Sequence, residues 1–330
     1  MTDKAGLNSQ HGQVSVHLHP AQVREALSIE VADGLGSSPK ALSPKWLYDA
    51  RGCELFDQIT QLAEYYPTRA ERSILDSYAS EIQQLSGANT LIELGSGTSE
   101  KTRLLLAAFN DAQSLDRFLA FDVAEATLRG AVSSIQADYP ETEVAGIVGD
   151  FTQHLSVLPT VGTRMVAFLG GTIGNFDATQ RKSFLASLAQ ILNPGESILL
   201  GTDLIKDRSR LIAAYDDSSG VTAAFNKNLL SVLNTELGAE FNLDAFEHVA
   251  LFNESDSCIE MRLRSTCDQQ VVIRDLNLNI DFAAGEDLLS EISTKFTLQQ
   301  AREELCAAGF NTLHYWTDPA QDFALWLAIR

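Results

Sequence analysis

The stretch Leu91-Ile92-Glu93-Leu94-Gly95-Ser96-Gly97-Thr98-Ser99-Glu100-Lys101-Thr102 constrains the fold more than any other part of the chain. An apolar run ends in an acid, passes a Gly-x-Gly turn and enters a helix-compatible segment. This is the strand–turn–helix unit that opens a nucleotide-binding α/β sheet. The glycines permit a sharp turn and let a ligand approach without a Cβ in the way. A dinucleotide fingerprint would carry a third glycine three residues after Gly97, where Glu100 stands instead. A carboxylate there opposes a pyrophosphate on the helix N-terminus. A cofactor without phosphates is therefore favoured, with S-adenosylmethionine the leading candidate.

Strand and helix patterns alternate from Thr90 to Thr202. Apolar strands are read at Leu91–Leu94, Phe118–Phe121, Val144–Val148, Met165–Leu169 and Ser197–Gly201, and helices at Lys101–Phe109, Ala124–Tyr139 and Arg181–Leu192. Such alternation predicts a parallel sheet with right-handed crossovers. After a helix at Thr297–Ala308, closed by Gly309, the strands Thr312–Trp316 and Phe323–Ile329 form a terminal hairpin, typical of class I methyltransferases. Two regions break the alternation. One precedes the first strand. The other holds a helical run, Ser209–Leu237, and then strand-like runs at Phe246–Phe252, Cys258–Ser265, Val271–Ile273 and Leu276–Phe282. Together they predict one α+β accessory domain lying over the cofactor end of the sheet.

The chain has 330 residues and a net charge of −20. That charge repels phosphate backbones and anionic membranes, which argues against nucleic-acid or membrane partners. No run approaches the ~18 apolar residues of a membrane span. Residues 1–16 are polar and lack an apolar signal core, so they are expected to be disordered and non-secretory. Cys53, Cys258, Cys267 and Cys306 are scattered without metal-ligand spacing, which points to no metal site and a reducing cytoplasm. A catalytic role for Cys53 is less favoured than an inert thiol. No heptad or apolar patch argues for more than a monomer.

Ligands of open α/β sheets bind beyond the strands' carboxyl ends. Gly95, Ser96, Gly97, Asp122, Asp150, Phe151 and Asn175 all fall there. Asp122 is placed to accept from both ribose hydroxyls, a reading favoured over that of a turn aspartate capping the next helix. Asp150 can take an adenine amino group, and Phe151 can pack on the purine. Lys101, one turn into the helix after Gly97, is placed to pair with a carboxylate. No Ser-His-Asp or Cys-His relay and no paired acids stand out. Methyl transfer needs neither: it aligns a neutral nucleophile with the methyl group and excludes water.

Three groups of residues carry a family resemblance. The first is Tyr48-Asp49-Ala50-Arg51-Gly52-Cys53-Glu54-Leu55-Phe56-Asp57-Gln58-Ile59-Thr60 followed by Glu64-Tyr65-Tyr66-Pro67-Thr68-Arg69. The second is Glu93 to Thr102 with Phe168 to Phe176. The third is Glu260 to Ser265 with Glu291 to Phe296. These resemble the L-histidine Nα-methyltransferase family of ergothioneine biosynthesis, collinearly over nearly the whole chain after residue 17. The resemblance implies a methyltransferase core at 69–205 and 295–330, with a substrate-binding domain at 17–68 and 206–294. It implies three methylations of the α-amine of L-histidine, giving hercynine and S-adenosylhomocysteine. It assigns Gly95, Lys101, Asp122, Asp150 and Phe151 to S-adenosylmethionine, and Tyr48, Tyr65, Asn175, Tyr215, Met261, Glu291 and Ser293 to histidine. In that set Asn175 and Tyr215 would serve the carboxylate, and Glu291 and Ser293 the two imidazole nitrogens. Met261 would form a soft wall beside the ring. Tyr48, the catalytic candidate, would contact the α-amine. Tyr66 adjoins Tyr65, and the sequence alone does not tell which faces the substrate. The rival readings are an Nα-methyltransferase acting on tryptophan, a non-catalytic S-adenosylmethionine-binding regulator and an NAD-dependent dehydrogenase.

Overall fold

The structure, a computed structural model, describes residues 12–330. In chain order it opens with β1 (Gln13–Val16), α1 (Pro20–Gly36), β2 (Lys40–Ala41) and α2 (Ala50–Gln61). α3 (Pro67–Ser86) leads into β3 (Thr90–Leu94), α4 (Thr102–Asp111), β4 (Arg117–Asp122), α5 (Glu125–Asp138), β5 (Glu143–Val148), β6 (Arg164–Phe168), α6 (Ala178–Ile191) and β7 (Ser197–Asp203). Then come α7 (Arg208–Tyr215), α8 (Val221–Leu237), β8 (Phe246–Asn253), β9 (Cys258–Ser265), β10 (Gln269–Ile273), β11 (Leu278–Phe282) and β12 (Asp287–Thr294). The chain closes with α9 (Leu298–Ala307), β13 (Asn311–Thr317) and β14 (Phe323–Ile329).

The main sheet has the order β1-β5-β4-β3-β6-β7-β14-β13. β14 runs antiparallel to both neighbours and the remaining pairs are parallel. This is the α/β class I methyltransferase architecture with its terminal antiparallel strand. β3 is buried along its whole length because helices cover both faces of the sheet. Leu91 packs with α3, α4 and α5, and Ile92 packs with α6 and α9. Neighbours β4 and β6 lie on either side of β3, so the chain changes direction there and opens a crevice at the carboxyl end of β3.

A second sheet, β2-β12-β9-β8, and the β10-β11 hairpin build the other lobe. Its apolar cluster draws on Leu27 to Tyr66 and Leu211 to Leu288, so the N-terminal segment and the long insertion share one core. The insertion leaves and re-enters the main sheet at a single point. Phe296 N–H donates to Asp203 O at 2.8 Å, and Ile205 N–H donates to Phe296 O at 3.0 Å. Among the described residues no helix is long and apolar enough to cross a membrane.

Four readings of the sequence change. Residues 13–16, expected to be disordered, form edge strand β1 beside β5, their polar residues suiting a solvent-facing edge; residues 1–11 lie outside the described residues. The helical run Ser209–Leu237 is two helices. Asp217 breaks it by accepting from Ser219 N, Val221 N and Thr222 N at 2.7–3.1 Å, which caps α8 and leaves Tyr215 at the end of α7. Lys101 is the cap residue before α4 rather than a position one turn inside it. β12, the strand carrying Glu291 and Ser293, was not among the strand-like runs.

The segment Pro44–Leu47 that delivers Tyr48 packs tightly on α2. Asp49 caps α2 through Gly52 N at 2.7 Å and also accepts from Asn228 of α8 at 2.7 Å. A Cβ on Gly52 would overlap the backbone carbonyl of Leu47. We therefore expect Gly52→Ala to cost roughly 2–3 kcal/mol and to lower the melting temperature by several degrees. An unchanged melting curve would show that this contact yields freely.

Candidate active site

At the carboxyl end of β3 the chain turns through Gly95 (φ 68°) and Gly97 (φ 49°), in the left-handed region that glycine adopts most readily. Gly95 N–H and Ser96 N–H donate to Phe121 O at 2.8 and 3.1 Å, which locks the turn to β4. A Cβ on Gly95 would lie 3.7 Å from the Phe151 ring. The Asp122 carboxylate accepts from Gly97 N and Ala124 N at 2.8 and 2.9 Å, so it ties the glycine turn to the residue that precedes α5. Burial pushes the Asp122 carboxyl up, against the pull of those backbone donors. Ser96 Oγ is buried and has no hydrogen-bond partner among the described residues. Asp150 Oδ1 is engaged by Thr152, and Asp150 Oδ2 lies 3.3 Å from Gln153 and 4.0 Å from Lys45. Phe151 stands edge-on to Phe168 at 5.3 Å and Phe184 at 5.8 Å, so its position is held by packing.

Lys101 pairs with the fully buried Glu71 of α3, which also accepts from Gly170 N at 2.8 Å. The lysine therefore reaches the crevice already anchored to a carboxylate. Glu93, the acid closing β3, accepts from Ser99 and Thr102, and burial raises its carboxyl to about 7. Cys53 on α2 faces this region. Burial, with Asp122, Asp57 and Asp49 nearby, lifts its thiol to about 11, so it stays protonated and is no nucleophile.

The second half of the site lies on β12 and β9. Directly opposed residues of antiparallel strands share a face, and here Glu291 opposes Met261 while Ser293 opposes Ile259. A bulge at Ser290 shifts the register, so Leu288, Glu291 and Ser293 share the face of Leu263, Met261 and Ile259, which α7 and α8 cover. The other face carries Arg262, Glu260, Arg264 and Asp287, joined as an ion-pair ladder. Glu291 is 8 % exposed, and its Oε2 has no hydrogen-bond partner among the described residues. Burial raises the Glu291 carboxyl to about 7, with Asn175 and Lys295 countering in part.

Asn175 arrives on the short helical turn after β6. Gly174 makes this possible, since a Cβ there would sit 2.8 Å from Thr294 O. The Asn175 amide donates to Ile292 O at 3.2 Å, one residue from Glu291. Tyr215 Oη and Ser293 Oγ lie 2.7 Å apart. Tyr65 packs edge-on to Tyr215 at 6.1 Å, and Tyr48 packs on Phe56 and Phe225 at 5.6 and 5.4 Å. Burial is the first cause holding the Tyr48, Tyr65 and Tyr215 hydroxyls well above the ordinary tyrosine range; Glu291 comes next for Tyr48, the Tyr215 phenol for Tyr65 and Asp203 for Tyr215. The adjacent tyrosines diverge: Tyr66 Oη donates to Asp203 at 2.8–2.9 Å and accepts from Lys206 at 2.7 Å. Tyr65, not Tyr66, joins the cluster around Glu291.

The structure thus brings together Tyr48, Tyr65, Asn175, Tyr215, Met261, Glu291 and Ser293, and gathers Gly95, Ser96, Gly97, Lys101, Asp122, Asp150 and Phe151 at the sheet edge. Sequence reasoning missed the charged residues beneath them: Glu71, Asp203, Lys206 and Lys295. Lys295 lies inside the Glu291–Phe296 run, but a buried lysine leaves no mark in sequence that separates it from a solvated one.

Residues 27–330 match the family described as histidine-specific, SAM-dependent methyltransferase. The chain is 55 % identical over 306 residues to a histidine N-alpha-methyltransferase of Mycolicibacterium smegmatis, covering 93 % of this chain and 95 % of that protein. It is 50 % identical over 317 residues to the enzyme of the same name from Mycobacterium tuberculosis, covering 96 % and 99 %. Ergothioneine biosynthesis protein 1 of Schizosaccharomyces pombe is 30 % identical over 296 residues, which span 86 % of this chain and 38 % of that longer protein. With the family model covering residues 27–330 and with near full-length relatives at 50 and 55 % identity, this chain belongs to the histidine-specific, SAM-dependent methyltransferase family.

Proposed function

We propose that this chain transfers three methyl groups from S-adenosylmethionine to the α-amino nitrogen of L-histidine, giving hercynine and S-adenosylhomocysteine, the first step of ergothioneine biosynthesis. The single observation that carries the reading is Glu291, a buried carboxylate with an unpartnered oxygen on the same face as Met261 and Ser293. An orphaned buried acceptor costs roughly 1–3 kcal/mol until a donor meets it. An imidazole N–H is a donor of the right size for that face.

The residues at the sheet edge fit the nucleoside and methionyl parts of the cofactor. Asp122 keeps lone pairs for ribose hydroxyls, and Ser96 Oγ waits unpaired in the turn. Gly95 leaves room beside Phe151, and Lys101 is aimed by Glu71 for the carboxylate. Asp150 would exchange its local turn bonds for the adenine amino group. When bound, S-adenosylmethionine supplies an electrophilic methyl on a sulfonium.

The lobe made of residues 17–68 and 206–294 is the substrate-binding unit. Glu291 and Ser293 fix the imidazole against Met261, the Asn175 amide and the Tyr215 hydroxyl serve the carboxylate side, and Tyr65 closes the pocket wall. Tyr48 acts on the amine. Its phenol stays neutral at working pH, so it accepts an amine N–H and steers the lone pair rather than serving as a phenolate base. Only the unprotonated amine attacks, so the rate rises with pH through the amine pKa in the complex; a flat profile between about pH 6 and 9 with chemistry limiting would contradict this.

Mass spectrometry of histidine incubated with the protein and S-adenosylmethionine should show a gain of three methyl groups, with tryptophan converted far more slowly. An indole offers one donor and no acceptor, which leaves part of the pocket unpaired. Glu291→Ala should weaken histidine use at least about tenfold while leaving S-adenosylhomocysteine binding intact; full turnover in that variant would remove the pocket assignment.

Glu291 also makes the ligand-free protein pH-dependent. Its carboxyl lies at about 7 in the folded state against an ordinary 4.5, so the folded state binds more protons between those values. Stability from this group is therefore greatest below about pH 4.5 and falls as pH rises toward 7. Glu291→Gln removes that penalty. It should raise ligand-free stability at pH 8 by at most about 3 kcal/mol and change it little near pH 4, as read by denaturant melts. Equal effects at both pH values would refute this origin.

A further inference from the structure

Lys295 lies outside the ligand-binding set yet sits directly beneath it. It is wholly buried at the exit of β12. Its ammonium group has three protons, and the structure accounts for all of them: Asp203 Oδ2 at 2.9 Å, Tyr215 Oη at 2.9 Å and Ser293 Oγ at 2.6 Å. Asp203 is held ionised: burial alone would raise its carboxyl, but Lys295 and Lys206 outweigh that and lower it.

Counting protons gives the consequence. Tyr215 and Ser293 own two hydroxyl protons. One is consumed in the 2.7 Å contact between them. Each oxygen also accepts from Lys295, so neither can donate its proton to the lysine. One O–H of the pair then remains without a partner among the described residues, and Ser293 stands two residues after Glu291 on the same face of β12. We propose that Lys295 is a positioning residue for histidine recognition, orienting the Tyr215–Ser293 pair so that it presents one hydroxyl donor beside the Glu291 acceptor. The site then offers one donor and one acceptor, the complement of a neutral imidazole with its N–H and bare nitrogen. This rests on the histidine reading above and narrows it: Tyr215 and Ser293 act as one unit with one proton to give, so Tyr215 donates to Ser293, Ser293 donates to the ring, and the carboxylate is left to Asn175.

The test is calorimetric. Histidine is titrated into protein saturated with S-adenosylhomocysteine, and S-adenosylhomocysteine is titrated alone. If the wild type does not bind histidine, the proposed function itself fails, independently of Lys295. Given wild-type binding, Lys295→Met should weaken histidine at least about tenfold while S-adenosylhomocysteine affinity stays within about twofold. Asp203 keeps Lys206 and Tyr66 as partners, so the cofactor lobe retains its charge balance in this variant. A double-mutant cycle separates positioning from general support. If Lys295 acts through the hydroxyl pair, Lys295→Met in a Ser293→Ala background should cost at least about threefold less than in the wild type. Histidine affinity unchanged in Lys295→Met, or fully additive losses in the cycle, would overturn the proposal. Should Lys295→Met also lose S-adenosylhomocysteine, the same cycle with Lys295→Gln, which keeps two donors, decides by the same criteria.

Discussion

The whole site depends on one crossing of backbone, where β12 returns to the main sheet beside the end of β7. Phe296 pairs there with Asp203 and Ile205, and the Lys295–Asp203 ion pair lies across the same point. Two chains that cross this tightly, with a buried charge pair across them, cannot slide independently. The substrate face of β12 is therefore held in fixed relation to the carboxyl edge of β3–β7. For a displacement in which the nucleophile must meet a methyl group in line, that fixed relation is the main contribution a protein can make. A buried ion pair is weak evidence for stability as such, because desolvation offsets much of its attraction. Here its value is geometric, since each partner also holds side chains of the second lobe: Tyr66 and Lys206 on Asp203, Tyr215 and Ser293 on Lys295.

The bulge at Ser290 is the second constraint. A regular strand would place Glu291 with Asp287 and Leu289, on the ladder face of Arg262 and Arg264, where a carboxylate would find cations at once. The extra residue turns Glu291 to the apolar face instead, and Ser290 compensates for its own displacement by bonding Asn226 at 2.5 Å and Met261 O at 2.9 Å. The cost is a carboxylate in an environment that resists its charge. On the proposed reading this group meets a polar ring among apolar walls, and its unfavourable isolation would select a ligand that relieves it.

The same two features explain what could and could not be read from the residues. The main sheet was legible because β3 to β7 are buried on both faces and so appear as short uninterrupted apolar runs between Gly- and Asp-rich turns. Asp122, Asp150 and the Gly95–Gly97 turn were legible because strand ends are fixed by those runs. β12 was not, because Asp287-Leu-Leu-Ser-Glu-Ile-Ser-Thr294 carries polar groups toward both sides and its bulge destroys the alternation that marks a strand. The division of Ser209–Leu237 was hidden in a similar way: Asp216-Asp217-Ser218-Ser219-Gly220 is a strong breaker, but the flanking apolar spacing masks it. The N-terminal strand carries too little apolar content to announce an edge position. Glu71 is the hardest case, a carboxylate buried inside an otherwise ordinary amphipathic helix, α3, whose role depends on Lys101 and Gly170 being near in space.

The protonation pattern around Tyr48 bears on how an amine can be methylated three times in one place. A phenolate near the nitrogen would remove a proton from the incoming ammonium but would also attract every cationic product. Burial and the acidic neighbours Glu291, Tyr65 and Tyr215 keep the phenol neutral. A neutral hydroxyl accepts an N–H when one is present and imposes no charge attraction when the last one has been replaced by methyl. On the proposed reading the final trialkylammonium product would meet Tyr48 as a dipole and the neighbouring rings of Tyr65, Phe56 and Tyr215 as faces and edges. Aromatic walls tolerate a methylated cation that can no longer donate a hydrogen bond. The site's tyrosines and phenylalanines are thus suited to a nitrogen whose donors vanish step by step, which a pocket of fixed carboxylates around the amine would not be.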